Sequence, residues 1–229
     1  MSKLEVDISA KMFGAQKVLG EIRFEVPAGQ RVALLGVSGV GKSTLLSLIA
    51  GTETEVEGRI LRPSWRIAMV FQTPRLLPWR TLAQNIALVP DAGGLARARE
   101  LLGAVGLADA ADQYPEKVSL GMQRRAALAR ALAVDPDLIL MDEPLVSLDA
   151  TSAAEMRRLL TETLDRTGAA ALIATHDRRE ALALADRVLM LDGPPGRLAE
   201  DRQSPLDRAE RSDPNAVSSL HMDWFGADV

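Results

Sequence analysis

Residues 4–10 and 21–26 alternate apolar and polar side chains, a period of two that predicts half-exposed antiparallel strands. The pattern changes at 31–36, RVALLG, where the apolar run is continuous, as in a strand covered on both faces. Glycines break that run, and KSTLLSLIAG then carries its apolar residues at helical spacing, with Gly51 placed to end the helix. Further short apolar runs predict buried strands at 67–71, 138–142, 170–175 and 187–191. The segments between them read as helices, which cross over a mostly parallel sheet. From 81 to 134 the texture differs: ARARELLGAVGL and GMQRRAALARALAV are helical patterns with no strand between them. The chain therefore reads as one α/β domain over 1–200 with a helical insertion at about 81–134. Beyond Asp192 it is rich in Pro, Asp and Arg, and 201–229 is expected to be a loosely packed tail.

Composition narrows the classes. A chain of 229 residues can bury one substantial core. With aromatic residues at only 3%, that core must be built from Ala, Leu, Val and Ile. The net charge is −4 with both signs interspersed, and the absence of a basic run argues against a nucleic-acid partner. There is no cysteine, which excludes disulfides and thiolate metal sites and fits a reducing compartment. The apolar runs are too short to cross a bilayer, so the protein is expected to be soluble, or to sit on a membrane only through a partner.

The glycines after the first buried strand carry chemistry. GVSGVGKST, residues 36–44, matches G-x-x-x-x-G-K-[ST] at Gly36, Gly41, Lys42 and Ser43. Glycine lets the backbone wrap close to phosphate oxygens, and successive N–H groups make an anion nest. The helix that starts near Lys42 points its positive dipole end at the same place. Gly36, Ser38, Gly39, Gly41, Lys42, Ser43 and Thr44 are thus expected to bind ATP. Lys42 would reach the β- and γ-phosphates, and Ser43 would ligate Mg²⁺. In LILMDEP, four apolar residues carry Asp142 and Glu143 to the carboxyl end of a strand, where ligands bind in open α/β sheets. Asp142 is expected to hold Mg²⁺ through water, and Glu143 to act as general base on the attacking water.

With VSLGMQRRAALARAL the chain resembles an ATP-binding-cassette (ABC) protein, whose signature usually reads LSGGQ or LSGGM. The resemblance spans nearly the whole chain, with all motifs in the family's order. It implies a P-loop NTPase core with an N-terminal antiparallel β subdomain and an inserted helical subdomain. It also implies a nucleotide-sandwich dimer, of two copies or with a paired ABC subunit. In that dimer Ser119 and Gly121 would contact the γ-phosphate held by the other subunit. Gln72 would sense Mg²⁺ and the attacking water, Asp149 would line the dimer seam, and His176 would touch the γ-phosphate. Phe13 lies where the family places an aromatic that stacks on adenine. His221 receives no role.

FQTPRLLPWRTLAQNIAL, which contains Gln72, and PPGRL at 194–198 resemble segments of nitrate, sulfonate and taurine importer ATPases. In those proteins the surface near this glutamine receives a helix of the membrane permease, and Leu76, Leu77, Pro78 and Trp79 are expected to form such a dock. The implied role is the ATP-hydrolysing subunit of a bacterial importer for a small solute. It would sit on the cytoplasmic face of the membrane through the permease and work with an external solute-binding protein. One residue departs from the pattern: Leu120 replaces the first signature glycine. Were positive φ required there, leucine would cost about 1–2 kcal/mol, which is expected to weaken the composite site without abolishing hydrolysis. Two alternatives follow, a weakly hydrolysing regulatory subunit and a soluble ABC ATPase uncoupled from transport. The DNA-repair type of soluble cassette protein is disfavoured by the short spacing from Gln72 to Ser119, without heptads or cysteines.

Overall fold

The alternating N-terminal segments pair as one antiparallel sheet. Strand β1 (Lys3–Phe13) buries Leu4, Val6, Ile8 and Ala10 on one face. Strand β2 (Gln16–Leu19) folds back on its end with Phe13 opposite Gln16, and β3 (Ile22–Pro27) pairs with it from Lys3↔Pro27 to Ile8↔Ile22. The continuous run RVALL is β4 (Arg31–Leu35), buried at every position. It leads through the glycine loop into α1 (Lys42–Ala50), which ends at Gly51 in the left-handed conformation. Strand β5 (Glu57–Leu61) then returns to pair with β1.

In the computed structural model, residues 2–90 and 93–226 are described. Positions 91 and 92 of the expected insertion and 227–229 of the expected tail lie outside the described residues. The chain divides into two compact units, Met1–Ser64 with Ala170–Val229, and Trp65–Ala169.

The second unit begins with β6 (Ile67–Val70), followed by α2 (Leu82–Ile86), α3 (Gly94–Ala104) and α4 (Leu120–Leu132). Strand β7 (Leu138–Asp142) runs parallel to β6, with Val70 opposite Met141, and α5 (Ala150–Thr167) completes the unit. The expected insertion 81–134 thus lies inside a larger unit that contains its own strand pair. Short 3₁₀ turns at Ala108–Ala110 and Pro115–Lys117 separate α3 from α4.

The chain re-enters the first unit with β8 (Ala170–Thr175), which lies parallel to β4. Helix α6 (Arg178–Leu184) crosses to β9 (Arg187–Asp192), parallel to the other edge of β4, and β10 (Arg197–Gln203) hairpins back on β9. This is the mostly parallel α/β arrangement expected, with the antiparallel N-terminal sheet and the helical segment in their predicted places. Among the described residues no helix is long and apolar enough to cross a membrane.

The expectation of a loosely packed tail is corrected by the structure over its described residues, 201–226. Helix α7 (Pro214–Phe225) buries Val217, Leu220 and His221, and its apolar face joins Ala33, Leu35, Ala181, Leu182 and Val188 in one core cluster. Arg211 is buried and donates to Asp186 Oδ1 at 2.6 Å, while the Arg31 N–H donates to Asp186 Oδ2 at 2.8 Å. The abundant Asp and Arg that suggested loose packing include the ion pair that pins this segment to the start of β4. His221 serves the core, its ring 5.4 Å from that of Phe225.

Candidate nucleotide-binding site

In the first unit the glycine loop leaves the buried end of β4. The N–H of Gly36 donates to Thr175 O at 3.3 Å, so the loop starts beside the last residue of β8. Gly39 and Gly41 hold φ of 82° and 109°, values that admit glycine with little strain. Lys42 is buried to 4% exposure; its Nζ donates to Gly36 O at 2.7 Å and Val37 O at 3.1 Å, arching over its own loop. Ser38, Gly39 and Ser43 are exposed and Thr44 half-buried. His176 is exposed directly after β8, and since Leu35 pairs with Thr175, it emerges at the same strand ends as the loop. Its neighbours are held: the Thr175 hydroxyl donates to Glu180 Oε2 at 2.7 Å and accepts from the Asp177 N–H at 3.0 Å. Asp177 in turn caps α6 by accepting from the Glu180 N–H. Phe13 stands half-exposed at the turn of the β1–β2 hairpin, with the Lys11 ammonium 4.5 Å from its ring centroid.

In the second unit the parallel register of β6 and β7 delivers Gln72, Asp142 and Glu143 to the same strand ends. Gln72 is exposed, Asp142 buried and Glu143 half-buried. Glu143 holds φ of 48°, a left-handed backbone rare outside glycine and asparagine, which fixes where its carboxylate leaves the strand. Arg124 of α4, itself buried, donates to Pro144 O at 3.3 Å and ties the signature helix to this acidic turn.

Ser119 and Asp149 have local partners. Ser119 caps α4 by accepting from the Met122 N–H at 3.3 Å, and Asp149 caps α5 by accepting from the Ser152 N–H at 3.0 Å. The Ser152 hydroxyl and N–H hold the Asp149 carboxyl below the usual aspartate value. A β-carbon on Gly121 would meet Leu148, Ser119 and Ser152 at ordinary contact distances, so nothing within the described residues of this chain requires a glycine there. Leu120 is the first residue of α4 and 41% exposed. Non-glycine positive φ occurs among the described residues at Arg75, Asp135, Glu143 and Ser147, so Leu120 avoids the left-handed backbone that would have made it costly.

Two residues that lie inside the quoted motif segments but were given no role shape the loop after Gln72. Asn85, 1% exposed, accepts from the Leu77 N–H at 2.6 Å and donates to the carbonyls of Leu77, Arg80 and Thr81. Arg130 of α4 donates to Arg75 O at 2.7 Å and Pro74 O at 2.8 Å, while the Arg75 guanidinium lies 3.7 Å from the Phe71 ring centroid. Burial, with the charge of Arg75 adding to it, lowers the pKa of Arg130. Leu76 and Leu77 are half-buried on this braced loop, and Trp79 stands 69% exposed. The capping box of Thr81 and Gln84, which starts α2, was readable as T-x-x-Q.

A family model described as ABC transporter matches residues 19–146. The aliphatic sulfonates import ATP-binding protein SsuB 2 of Burkholderia cenocepacia (strain HI2424) is 41% identical over 225 residues, covering 94% of this chain and 83% of that protein. SsuB of Mycobacterium sp. (strain MCS) is 46% identical over 202 residues, 86% of this chain and 81% of that protein. Among solved structures, the dimeric post-hydrolysis state of the ATP-binding cassette MJ0796 bound to ADP and Pi superposes with a TM-score of 0.76 at 26% identity. It covers 90% of this chain and 100% of that one.

Proposed function

The chain belongs to the ABC transporter family and is an ATP hydrolase of that kind, and from this premise we propose that it is the energising subunit of a membrane importer. Two ATP-bearing subunits close on each other, the phosphate loop of each facing Ser119 and Gly121 of the other. The dimeric state of the solved relative supports this reading. Lys42 and the loop amides hold the phosphates, Phe13 stacks on adenine, and His176 touches the γ-phosphate. Glu143 takes a proton from the attacking water, Gln72 orients that water, and Asp149 lines the seam between subunits. Ser43, Gln72 and Asp142 carry hydroxyl, amide and carboxylate oxygens, the hard donors that suit Mg²⁺. When bound, that ion neutralises charge developing on the transferred phosphoryl group.

The transport reading is carried by the Trp79 loop. A large apolar side chain is held out to solvent on a segment braced by Asn85 and Arg130. Anchoring an indole on a rigid loop costs little further entropy on binding, which suits a partner's apolar contact. The permease subunit is that partner, and it holds the chain at the cytoplasmic face of the membrane. The solute is a small molecule bearing a sulfonate or similar anionic group, delivered by a solute-binding protein. Aliphatic sulfonates lead because the relatives above are named for their import, with nitrate and taurine next.

The test is to isolate the tagged protein from detergent-solubilised host membranes. The expected companions are a permease and a solute-binding protein, the latter giving the substrate by ligand screening. A soluble ATPase alone, or one with nucleic-acid partners, overturns the transport reading and leaves the ATPase standing.

A further inference from the structure

The PPGRL segment at 194–198 has no task in the account so far, yet it meets the phosphate loop from below. Gly196 sits in the turn between β9 and β10, stitched to the end of β2. Its N–H donates to Val18 O at 2.9 Å, its carbonyl accepts from the Gly20 N–H at 2.8 Å, and it bridges Leu19. On the other side Gly196 presses against the carbonyl of Val40, which stands between Gly39 and Gly41 of the loop. A β-carbon on Gly196 would fall on that oxygen far inside the 3.0 Å that real Cβ atoms keep, and within 3.3 Å of Leu19 Cδ2.

The same floor explains two motif glycines. A β-carbon on Gly41 would strike the Leu19 side chain, and one on Gly36 would meet Leu191 O and Val40 Cγ1, each at 2.9 Å. The loop therefore rests on Leu19, Leu191 and Gly196, and the missing side chain at Gly196 sets its height. The obstructed atom belongs to backbone, so a side chain at 196 cannot be absorbed by a rotamer change; it must lift Val40. Val40 is 3% exposed, and its N–H is tied to Val37 O at 3.3 Å, so the displacement passes into the loop amides.

We infer that Gly196 is a positioning residue for the triphosphate: it holds the amides of the phosphate loop in register with the phosphates while touching no ligand itself. The inference rests on reading 36–44 as that loop.

The test compares ATP binding and turnover in wild type, Gly196→Ala and Gly20→Ala. The nearest atoms to a β-carbon on Gly20 all belong to the Arg197 side chain, at 2.9 Å and beyond, so this variant perturbs the same hydrogen-bonded pair with its first clash on a side chain rather than on the loop backbone. Displacing a binding group by about 1 Å can cost up to about a hundredfold. Gly196→Ala is expected to raise the Kd and KM for ATP by about ten- to a hundredfold. It should also lose most of the ATP-induced rise in Tm, while its Tm without nucleotide matches that of Gly20→Ala. A Kd within twofold of wild type, or an equal loss in Gly20→Ala, overturns the inference.

Should Gly196→Ala not fold, amide exchange in the wild type carries the test. Coupling between the turn and the loop is reciprocal, so saturating ATP must slow exchange at the Gly196 and Gly20 amides. Unchanged exchange overturns the inference. A wild type that binds no ATP overturns the phosphate-loop reading instead, which keeps the two failures apart.

Discussion

Glu143 shows how a single residue combines chemistry with backbone cost. Its φ of 48° costs on the order of 1–3 kcal/mol and is retained at the end of a buried strand beside Asp142. Glu143→Gln preserves shape and burial, so ATP binding should persist while turnover falls by about a hundredfold or more. Wild-type turnover in that variant would remove Glu143 from the role of base. Leu120 teaches the opposite lesson. Its position in the motif suggests a damaged signature, yet it occupies the first turn of α4, where no glycine is needed. Leu120→Gly should therefore give no gain in turnover and a loss of stability of up to about 1 kcal/mol, from helix propensity alone. Steady-state kinetics with a urea melt separates the two effects, and faster turnover would revive the idea of a weakened site.

At the scale of elements, the loop between β6 and α2 owes its shape to residues that approach it from helices. Asn85 makes four hydrogen bonds from a buried position, and Arg130 makes two to consecutive carbonyls. Removing the Asn85 amide leaves buried backbone groups unpaired, and Asn85→Ala should cost about 3 kcal/mol in denaturant unfolding. Arg130→Ala leaves fewer groups unpaired, two carbonyls against the four groups that Asn85 satisfies, and one of the two belongs to the exposed Arg75. Its expected mark is faster amide exchange over 74–79, with a smaller stability loss of about 1–2 kcal/mol. Since Arg130 belongs to the signature helix, the segment that carries Ser119 and the loop that carries Gln72 and Trp79 are mechanically joined within one unit. The strands and long helices around them were legible from periodicity, because their apolar residues report the face they bury. The roles of Asn85 and Arg130 were not, although both lie in quoted motif segments, because one polar residue on a helix does not say what its side chain will reach.

Across the first unit, the C-terminal segment is structural. Leu220 packs into the cluster built on Ala33 and Leu35 of β4, so Leu220→Ala should cost about 3 kcal/mol. The Asp186 ion pair adds a dependence on pH. Burial alone would raise the Asp186 pKa, but the Arg31 N–H and the Arg211 guanidinium outweigh it and hold the carboxyl below the ordinary value. A depressed carboxylate pKa contributes stability above the unfolded value of about 3.9 and loses it as pH falls through the folded value. Wild type should thus exceed Asp186→Asn in Tm at pH 7, with the gap closing below about pH 4. A gap that stays constant down to pH 2 would show that Asp186 acts by shape rather than charge.

Periodicity and motif spacing determined the strands β1, β3, β4 and β6 to β9 with helices between the later ones, the glycine loop at 36–44, and the acidic strand end at Asp142 and Glu143. These follow from local rules, since burial on one face repeats along an element and a phosphate nest needs glycine at set offsets. Only the tertiary structure decided that Leu120 takes a helical backbone at the start of α4 and that the tail packs on β4. It also brought the turn around Gly196 beneath the phosphate loop, some 155 residues from Gly41 along the chain. Those facts depend on which backbone atoms approach each other across long loops, and a close approach leaves no trace in the sequence beyond the glycine that permits it.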